Sequence, residues 1–229
     1  MRILALHGQG ASATIFQTQL APLLSALPPH WTFEFVDAPN DCGPGPGVDS
    51  VYGGPYYCFF ESYTPERMAA AVEYVREIVE DEGPFDGIIG FSQGASVTAA
   101  YLAAYPETTE ATALAFSFAI FICAALIPPE IAHGKHLEET IGSLLNNLPL
   151  PIPSLHIIGN QDTCYGQSVS LMQSCQASAL SAKSNTSKLP EGVADVVYFP
   201  GGHQVPRDTA MVRKIEKAVE KTSRLGFLG

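Results

Sequence analysis

Short apolar runs alternate along the chain with segments whose apolar residues recur at helical spacing. Continuous apolar runs of this kind are typical of strands that are buried on both faces, as in a parallel sheet. The four clearest are Arg2 to Leu6, Gly87 to Phe91, Ala113 to Cys123 and Ser154 to Ile158, with Trp31 to Val36 and Val193 to Phe199 as weaker additions.

The segments between these runs carry helix signals. Ser12 to Leu27 has helical spacing and ends at a Pro-Pro pair, and Thr64-Pro65 is a suitable cap and first turn for a helix that continues to Gly83. Ala95 to Tyr105 also has a helical pattern, and Asp208 to Arg224 is amphipathic with its basic residues late. The alternation predicts an α/β fold, a three-layer sandwich around a mostly parallel central sheet.

Two stretches interrupt the alternation. Residues 39 to 62 form a long loop rich in Gly, Pro and aromatic residues, and residues 128 to 153 form a Pro-bounded insertion with one helix predicted around 137 to 148. Long loops in compact domains are usually functional. We therefore expect a single domain over residues 1 to 229, with both insertions flanking the active site.

Composition narrows the possible partners. Twelve Lys and Arg residues against 23 Asp and Glu give a net charge of −11, which repels nucleic acid and anionic lipid headgroups. The longest uncharged apolar run, from Ala111 to Ile127, is too short to span a membrane and fits a buried central strand better. Five cysteines without a paired spacing, and an N-terminus unlike a secretory signal, predict a cytoplasmic protein with free thiols.

The strongest chemical signal is the sequence Gly90-Phe91-Ser92-Gln93-Gly94, which lies between a predicted strand and a predicted helix. This is the context of a nucleophile elbow, a strained turn that presents the serine hydroxyl at the end of the sheet. Glycines are needed there because the turn brings its neighbours close to other backbone. The alternative is a glycine-rich turn whose serine merely caps a helix.

A serine nucleophile needs a histidine base and an acid, which follow it in the order Ser, acid, His in this type of fold. His203 lies in a Gly-Gly-His loop between the last strand and the last helix, and Asp162 lies in a loop that follows a strand. These two are the predicted base and acid. Asp195 and Asp208 are weaker alternatives for the acid, and the other histidines are expected to be structural or solvated: His7, His30, His133, His136 and His156.

An acyl transfer also needs hydrogen-bond donors for the oxyanion that forms on the substrate carbonyl. The backbone N–H of Gln93, directly after the nucleophile, is one expected donor, and the N–H of Gln9 in the turn after the first strand is the other. The spacing of His133 and His136 fits a solvated helix start better than a metal site. Neither a metal nor a cofactor is expected.

Taken together, these motifs are similar to those of a known family. The stretches Leu6-His7-Gly8, Gly90 to Ala95, Gly159 to Asp162 and Gly201-Gly202-His203 resemble the fungal-type serine hydrolase (FSH) family of α/β-hydrolases. The segments Gly43 to Gly47 and Gly54 to Ser62 resemble its branch that includes the lovastatin-pathway thioesterase, which releases polyketide acyl chains from carrier domains. The resemblance implies the same three residues, Ser92, Asp162 and His203, as nucleophile, acid and base.

The expected reaction is hydrolysis of a small-molecule acyl ester or thioester through an acyl-enzyme on Ser92. A thioesterase that releases a polyketide or fatty acyl chain in secondary metabolism is the leading hypothesis, with an acyl carrier domain as a candidate partner. A small-ester carboxylesterase and a non-catalytic binding protein of the same fold are the alternatives. Aromatic side chains often line apolar clefts, so the expected acyl-binding residues are Tyr52, Tyr56, Tyr57, Phe59 and Phe60.

Overall fold

The computed structural model of the 229-residue chain describes residues 1–105, 116–126, 152–181 and 193–227. Eight strands lie in these ranges: β1 (Arg2–Leu6), β2 (Thr32–Val36), β3 (Asn40–Asp41), β4 (Tyr57–Cys58), β5 (Gly87–Phe91), β6 (Phe118–Ile122), β7 (Ser154–Gly159) and β8 (Ala194–Phe199). Six form one sheet in the order β2-β1-β5-β6-β7-β8, and each of its five pairings is parallel. Their carboxyl ends therefore meet at one edge.

The described residues also form five helices, of which four lie between strands along the chain and the last follows β8. They are α1 (Ala13–Ala26), α2 (Pro65–Glu82), α3 (Gln93–Ala104), α4 (Tyr165–Ser181) and α5 (Thr209–Gly226). Polar side chains fix where three of them begin. Ser12 accepts a hydrogen bond from the Ile15 amide, Thr64 accepts one from the Arg67 amide, and Asp208 accepts from two amides of the first turn of α5. Each cap satisfies backbone donors that have no partner within the helix.

The strands alternate their side chains between two separate cores. Leu4 and Leu6 of β1 face the core formed with α2, α3 and α4, whereas Ile3 and Ala5 face the core formed with α1 and α5. Burial on both faces explains why the strands are continuous apolar runs in the sequence. The predicted three-layer α/β sandwich with a parallel central sheet is confirmed.

The element boundaries that differ from the sequence predictions include those of β6 and α3. The described strand β6 begins at Phe118 rather than Ala113, and α3 begins at Gln93, directly after the elbow serine. The helix predicted at 137–148 lies outside the described residues, as does nearly all of the 128–153 insertion.

Helix α4 was not predicted from the sequence. The buried residues of this helix recur at helical spacing, but Ser168 and Cys175 alternate in that stripe with Leu171 and Met172. The apolar signal was therefore too weak to predict a helix.

A short two-stranded ribbon fixes the position of the 39–62 segment. Strands β3 and β4 pair in antiparallel fashion, and Tyr57 exchanges backbone hydrogen bonds with Ala11 and Gly10. The segment is thereby fixed beside the turn that follows β1.

Among the helices of the described ranges, none has the length and apolar character that a membrane span requires.

Candidate active site

Ser92 occupies a sharp turn between β5 and α3. Its backbone is at φ 54° and ψ −117°, a strained conformation for a residue with a side chain. The flanking glycines make the turn possible. A Cβ on Gly90 would lie 2.6 Å from the Ala95 amide nitrogen, and one on Gly94 would overlap the carbonyl oxygen of Leu6. The serine is thus held at the carboxyl edge of the sheet, at the N-terminus of a buried helix.

Three side chains from separate loops form a continuous hydrogen-bonded chain at this edge. His203 Nε2 is 2.7 Å from Ser92 Oγ, and His203 Nδ1 is 2.9 Å from Asp162 Oδ1. The Cys164 amide donates to the same carboxylate oxygen at 2.7 Å. The structure therefore brings the three sequence-predicted residues together in the order that proton transfer from serine to imidazole requires.

Burial sets the electrostatics of the acid and the base. The Asp162 side chain is completely buried, whereas the His203 side chain is 31% exposed. Burial acts to raise the pKa of Asp162, but the hydrogen bond and charge of His203 outweigh it, so this pKa is lowered overall. Burial alone would lower the pKa of His203, but its partners, above all Asp162, raise that pKa to about 9. The pair thus favours a charged carboxylate beside an imidazole that holds a proton readily.

Cys123 is a further member of the site that sequence reasoning did not select. It follows β6 at φ 46° and is fully buried, and its thiol lies 3.6 Å from the carbonyl oxygen of Gln204. Donor atoms of Cys123, Asp162 and His203 lie within 4.8 Å of one another, a spacing that a metal ion could use. The direct hydrogen bond between the carboxylate and the imidazole already accounts for this grouping, so it gives no support for a metal.

Of the two residues whose amides are predicted to bind the oxyanion, Gln93 directly follows the serine and Gln9 lines the same cavity as Ser92. Within the described part of the chain, neither the N–H of Gln93 nor that of Gln9 donates a hydrogen bond to another group. The turn that carries Gln9 is fixed by His7, which is buried. His7 Nδ1 lies 2.7 Å from the Gly8 carbonyl oxygen, and its Nε2 accepts from the Ala38 amide at 3.0 Å. This pattern is a structural role, as the sequence suggested.

A cavity of about 880 Å³ opens above Ser92 and His203. One wall comes from the Gly-Pro segment at 43–47 and the side chains that follow it. The larger apolar side chains of this lining are Val48, Val51, Tyr52, Tyr63, Phe91 and Val205. The volume and the lining fit a medium-sized apolar group of a substrate.

Most of the aromatic residues that were predicted to bind the acyl group do not line the cavity. Of the five aromatic residues expected to contact an acyl group, Tyr52 lines the cavity and the other four do not. Phe59 and Phe60 are buried in the core, where the Gln93 side chain accepts from the Phe59 amide and donates to the Phe60 carbonyl oxygen, both at 2.8 Å. Their rings therefore pack in the core and do not line the cavity, whereas the sequence analysis expected them to contact an acyl group.

The two tyrosines among these four residues support the loop. Tyr56 donates its hydroxyl to the Tyr52 carbonyl oxygen at 2.8 Å, and Tyr57 packs against the core while its backbone joins the ribbon. The lining residues that sequence reasoning did not select include Tyr63 and Arg207. Tyr63 belongs to the same aromatic stretch, so composition could have included it. Arg207 offered no signal beyond its position four residues after His203.

The alternative acids and bases lie in ordinary structural environments. Asp195 pairs with Lys221 at 2.7 Å, and Asp208 caps α5. His156 is buried within β7 against Phe121, and burial lowers its pKa to about 3. His133 and His136 lie outside the described residues.

Comparisons with known proteins show the family of the chain. The family model described as "Serine hydrolase (FSH1)" matches residues 1–215. The chain is 31% identical to "Esterase FUS5" of Gibberella fujikuroi, over 97% of this chain and 87% of that protein. It is 32% identical to "Hydrolase phiM" of a fungal species, over 97% of this chain and 95% of that protein.

Solved structures share the fold at low sequence identity. Acyl-protein thioesterase 2 of Zea mays has a TM-score of 0.59 and 18% identity, with 97% of this chain and 93% of that chain covered. A monoacylglycerol lipase of Paleococcus ferrophilus has a TM-score of 0.61 and 11% identity, covering 100% and 95%. At such identities the likeness shows the α/β-hydrolase fold.

Proposed function

The chain belongs to the serine hydrolase (FSH1) family and is an enzyme, and on that premise we propose that Ser92, His203 and Asp162 are its catalytic triad. The observation that carries the proposal is the 2.7 Å contact between Ser92 Oγ and His203 Nε2 at the floor of the cavity. The reaction is hydrolysis of an acyl ester or thioester through an acyl-enzyme.

In the first half-reaction, Ser92 Oγ attacks the substrate carbonyl carbon as its proton passes to His203 Nε2. Asp162 accepts the Nδ1–H of the imidazole, so Nε2 is free to act as the base and the imidazolium is stabilised. The amides of Gln9 and Gln93 bind the oxyanion. The imidazolium then gives its proton to the departing alcohol or thiol, and the acyl group remains as an ester on Ser92.

In the second half-reaction, a water molecule gives a proton to His203 Nε2 and attacks the acyl-enzyme carbonyl. The same two amides bind the second oxyanion. Collapse of that intermediate releases the carboxylic acid and returns the proton to Ser92 Oγ.

We propose a thioesterase that releases a polyketide or fatty acyl chain in secondary metabolism as the specific activity, with small-ester hydrolysis as the alternative. The support is the apolar lining of the cavity and its volume of about 880 Å³, which exceeds what an acetyl group would fill. An acyl carrier domain is the corresponding partner. The exposed basic side chains of α5 that could meet an acidic carrier are Arg213, Lys214, Lys217 and Lys221.

A cytoplasmic location is part of the same proposal. Its support is that all five cysteines carry free thiols, four of them in the vicinity of the site and its loop: Cys42, Cys58, Cys123 and Cys164. Thiols persist in a reducing compartment.

A fluorophosphonate probe tests the nucleophile. The wild-type protein is expected to form a covalent adduct on Ser92, and the Ser92→Ala variant is expected to form none. Ser96→Ala is the matched control, because Ser96 lies one turn later in α3 and is buried. Equal labelling of Ser92→Ala and wild type, located by peptide mass spectrometry on another residue, would assign the nucleophile elsewhere.

Matched acyl thioesters and oxyesters of increasing chain length separate the two activities. For a thioesterase of apolar acyl groups, kcat/KM rises with chain length from C2 to about C8 and is higher for the thioester at each length. A maximum at acetyl oxyesters would instead favour the small-ester carboxylesterase.

A further inference from the structure

Arg207 and Tyr52 meet across the mouth of the active-site cavity. The guanidinium Nη1 of Arg207 lies 3.4 Å from the Tyr52 hydroxyl oxygen, although the residues are 155 positions apart in the chain. Both line the cavity that contains Ser92 and His203. The contact joins the 39–62 segment to the residues that follow His203.

Arg207 carries a permanent positive charge at this cavity. Among the described residues that line the cavity, no other is a Lys or an Arg. Within the described ranges its guanidinium has no carboxylate partner within 4.0 Å, whereas Arg2, Arg76 and Arg224 each pair with a glutamate. In a chain with a net charge of −11, an unpaired guanidinium at the active-site mouth is a charge still available to a ligand.

The neighbouring acid is already engaged. Asp208 also lines the cavity, but its Oδ1 accepts hydrogen bonds from the Ala210 and Met211 amides, both at 3.0 Å. Those bonds hold the carboxylate at the first turn of α5, and the guanidinium keeps its remaining N–H donors. A guanidinium and a phenol side by side form a set of donors suited to the oxygens of a carboxylate or phosphate.

We infer that Arg207, with the Tyr52 hydroxyl, binds an anionic group of the substrate while Ser92 attacks the acyl carbonyl. This inference rests on the proposed hydrolase activity and adds the substrate class: an acyl ester or thioester that carries a carboxylate or phosphate oxyanion. The anion has two possible sources. It is either a carboxylate on the acyl chain or the phosphate of a phosphopantetheine arm on the thiol side.

Two pairs of substrates separate these sources. In the first pair, the p-nitrophenyl ester of octanedioic acid is compared with the same ester methylated at its free carboxyl. In the second, S-butyryl-4′-phosphopantetheine is compared with S-butyryl-pantetheine. The readout is the ratio of kcat/KM for the anionic member to that for the neutral member, in wild type, Arg207→Gln, Arg207→Lys and Arg224→Gln.

The inference predicts a preference for the anionic member of one pair, and a fall of that ratio by about tenfold or more in Arg207→Gln, because charge-assisted hydrogen bonds are lost. Arg207→Lys retains part of the preference. Arg224→Gln makes the same charge change on an exposed side chain of α5 away from the cavity and retains all of it. The pair that responds identifies the source of the anion. A ratio that Arg207→Gln leaves unchanged in both pairs overturns the inference.

Binding to the inactive protein keeps the two proposals separate. Calorimetry with Ser92→Ala measures the affinity for each thioester and each p-nitrophenyl ester without turnover, and adding Arg207→Gln is expected to weaken the anionic members selectively. Selective weakening without any hydrolysis by wild type would contradict the proposed function and support the subsite. Hydrolysis without any anionic preference in binding would contradict the subsite and leave the proposed function supported.

Discussion

Asp162 and His203 are joined by a 2.9 Å hydrogen bond in which the carboxylate is completely buried and the imidazole is about one-third exposed. The acid comes from the loop after β7 and the base from the loop after β8, and these strands are neighbours in the sheet. Parallel pairing places both loops at one edge, so the contact follows from the topology.

This pair predicts the pH dependence of the reaction. The pKa of His203 is raised to about 9, so the protonated form, which cannot act as a base, is favoured in the folded enzyme. Activity therefore depends on the neutral fraction and rises with pH through that pKa. We expect kcat/KM for a neutral ester to increase about tenfold per pH unit from pH 6 to 8, to reach half its maximum near pH 9 and to level off by about pH 10. An imidazole with the ordinary pKa of about 6.5 would instead level off by about pH 7.5, which a profile in overlapping buffers would reveal.

Replacement of the acid tests the same contact. Asp162→Asn cannot stabilise the imidazolium, and it favours the wrong tautomer of His203. In the serine proteases the equivalent change lowers kcat on the order of 10⁴-fold, and we expect a loss of similar order with little change in thermal stability. Asp195→Asn is the control, because Asp195 lies at the start of β8 and pairs with Lys221 of α5. A loss in Asp195→Asn as large as that in Asp162→Asn would move the acid away from position 162.

Gly94, two residues after the nucleophile, leads to a prediction about stability. A Cβ on Gly94 would overlap the Leu6 carbonyl oxygen in β1, so Gly94→Ala must displace α3 from the sheet. Overpacking of this kind costs about 1 to 3 kcal/mol. Gly166→Ala is the matched control, because its Cβ would meet nothing within 4 Å in α4 and alanine favours the helix by up to about 1 kcal/mol. Urea unfolding of the two variants should show shifts of opposite sign, and equal stability of Gly94→Ala and wild type would contradict this packing.

The Gln93 side chain links the nucleophile turn to the aromatic segment. Gln93→Ala retains the backbone N–H proposed for the oxyanion but leaves the Phe59 amide and the Phe60 carbonyl without their partner. Unsatisfied buried groups cost about 1 to 3 kcal/mol. We expect lower stability and a KM that rises more for long acyl substrates than for short ones, because this segment leads into Tyr63 at the cavity. Gln176→Ala, which removes one exposed side-chain bond to β8, is the control.

These contacts show which parts of the molecule the sequence could predict. The strands and the three proposed catalytic residues follow from local patterns, because a buried parallel strand is a continuous apolar run and the functional residues come directly after such runs. The environment of Phe59 and Phe60 depends on Gln93, 33 to 34 positions later in the chain. The segment has no regular period, so nothing local indicates that their rings face the core.

The same limit applies to the mouth of the cavity. Arg207 reaches Tyr52 only because the β3–β4 ribbon and the turn before α5 converge on the same sheet edge. Sequence patterns report which face of a strand is buried, but contacts between distant loops are set by tertiary packing.

The buried histidines His7 and His156 lead to a prediction of how the free energy of unfolding changes at acid pH. Burial lowers the pKa of His156 to about 3, and also lowers that of His7, so the folded protein resists protonating either ring. In the unfolded chain both titrate near 6.5. Each therefore contributes stability that is complete above pH 6.5 and is lost as pH falls below that value. For His156, whose folded pKa is about 3, the loss is about 1.4 kcal/mol per pH unit.

His156→Phe is expected to make the stability profile between pH 6.5 and 5 shallower by the contribution of one proton. Phenylalanine retains the ring packing against Phe121 but loses the bond to Ser154, so stability at pH 7 is expected to fall slightly while the slope changes. His30→Gln, which removes an exposed histidine, is measured in parallel. The measurement is urea unfolding at several pH values, and an unchanged slope in His156→Phe would mean that the folded protein protonates His156 as readily as the unfolded chain does.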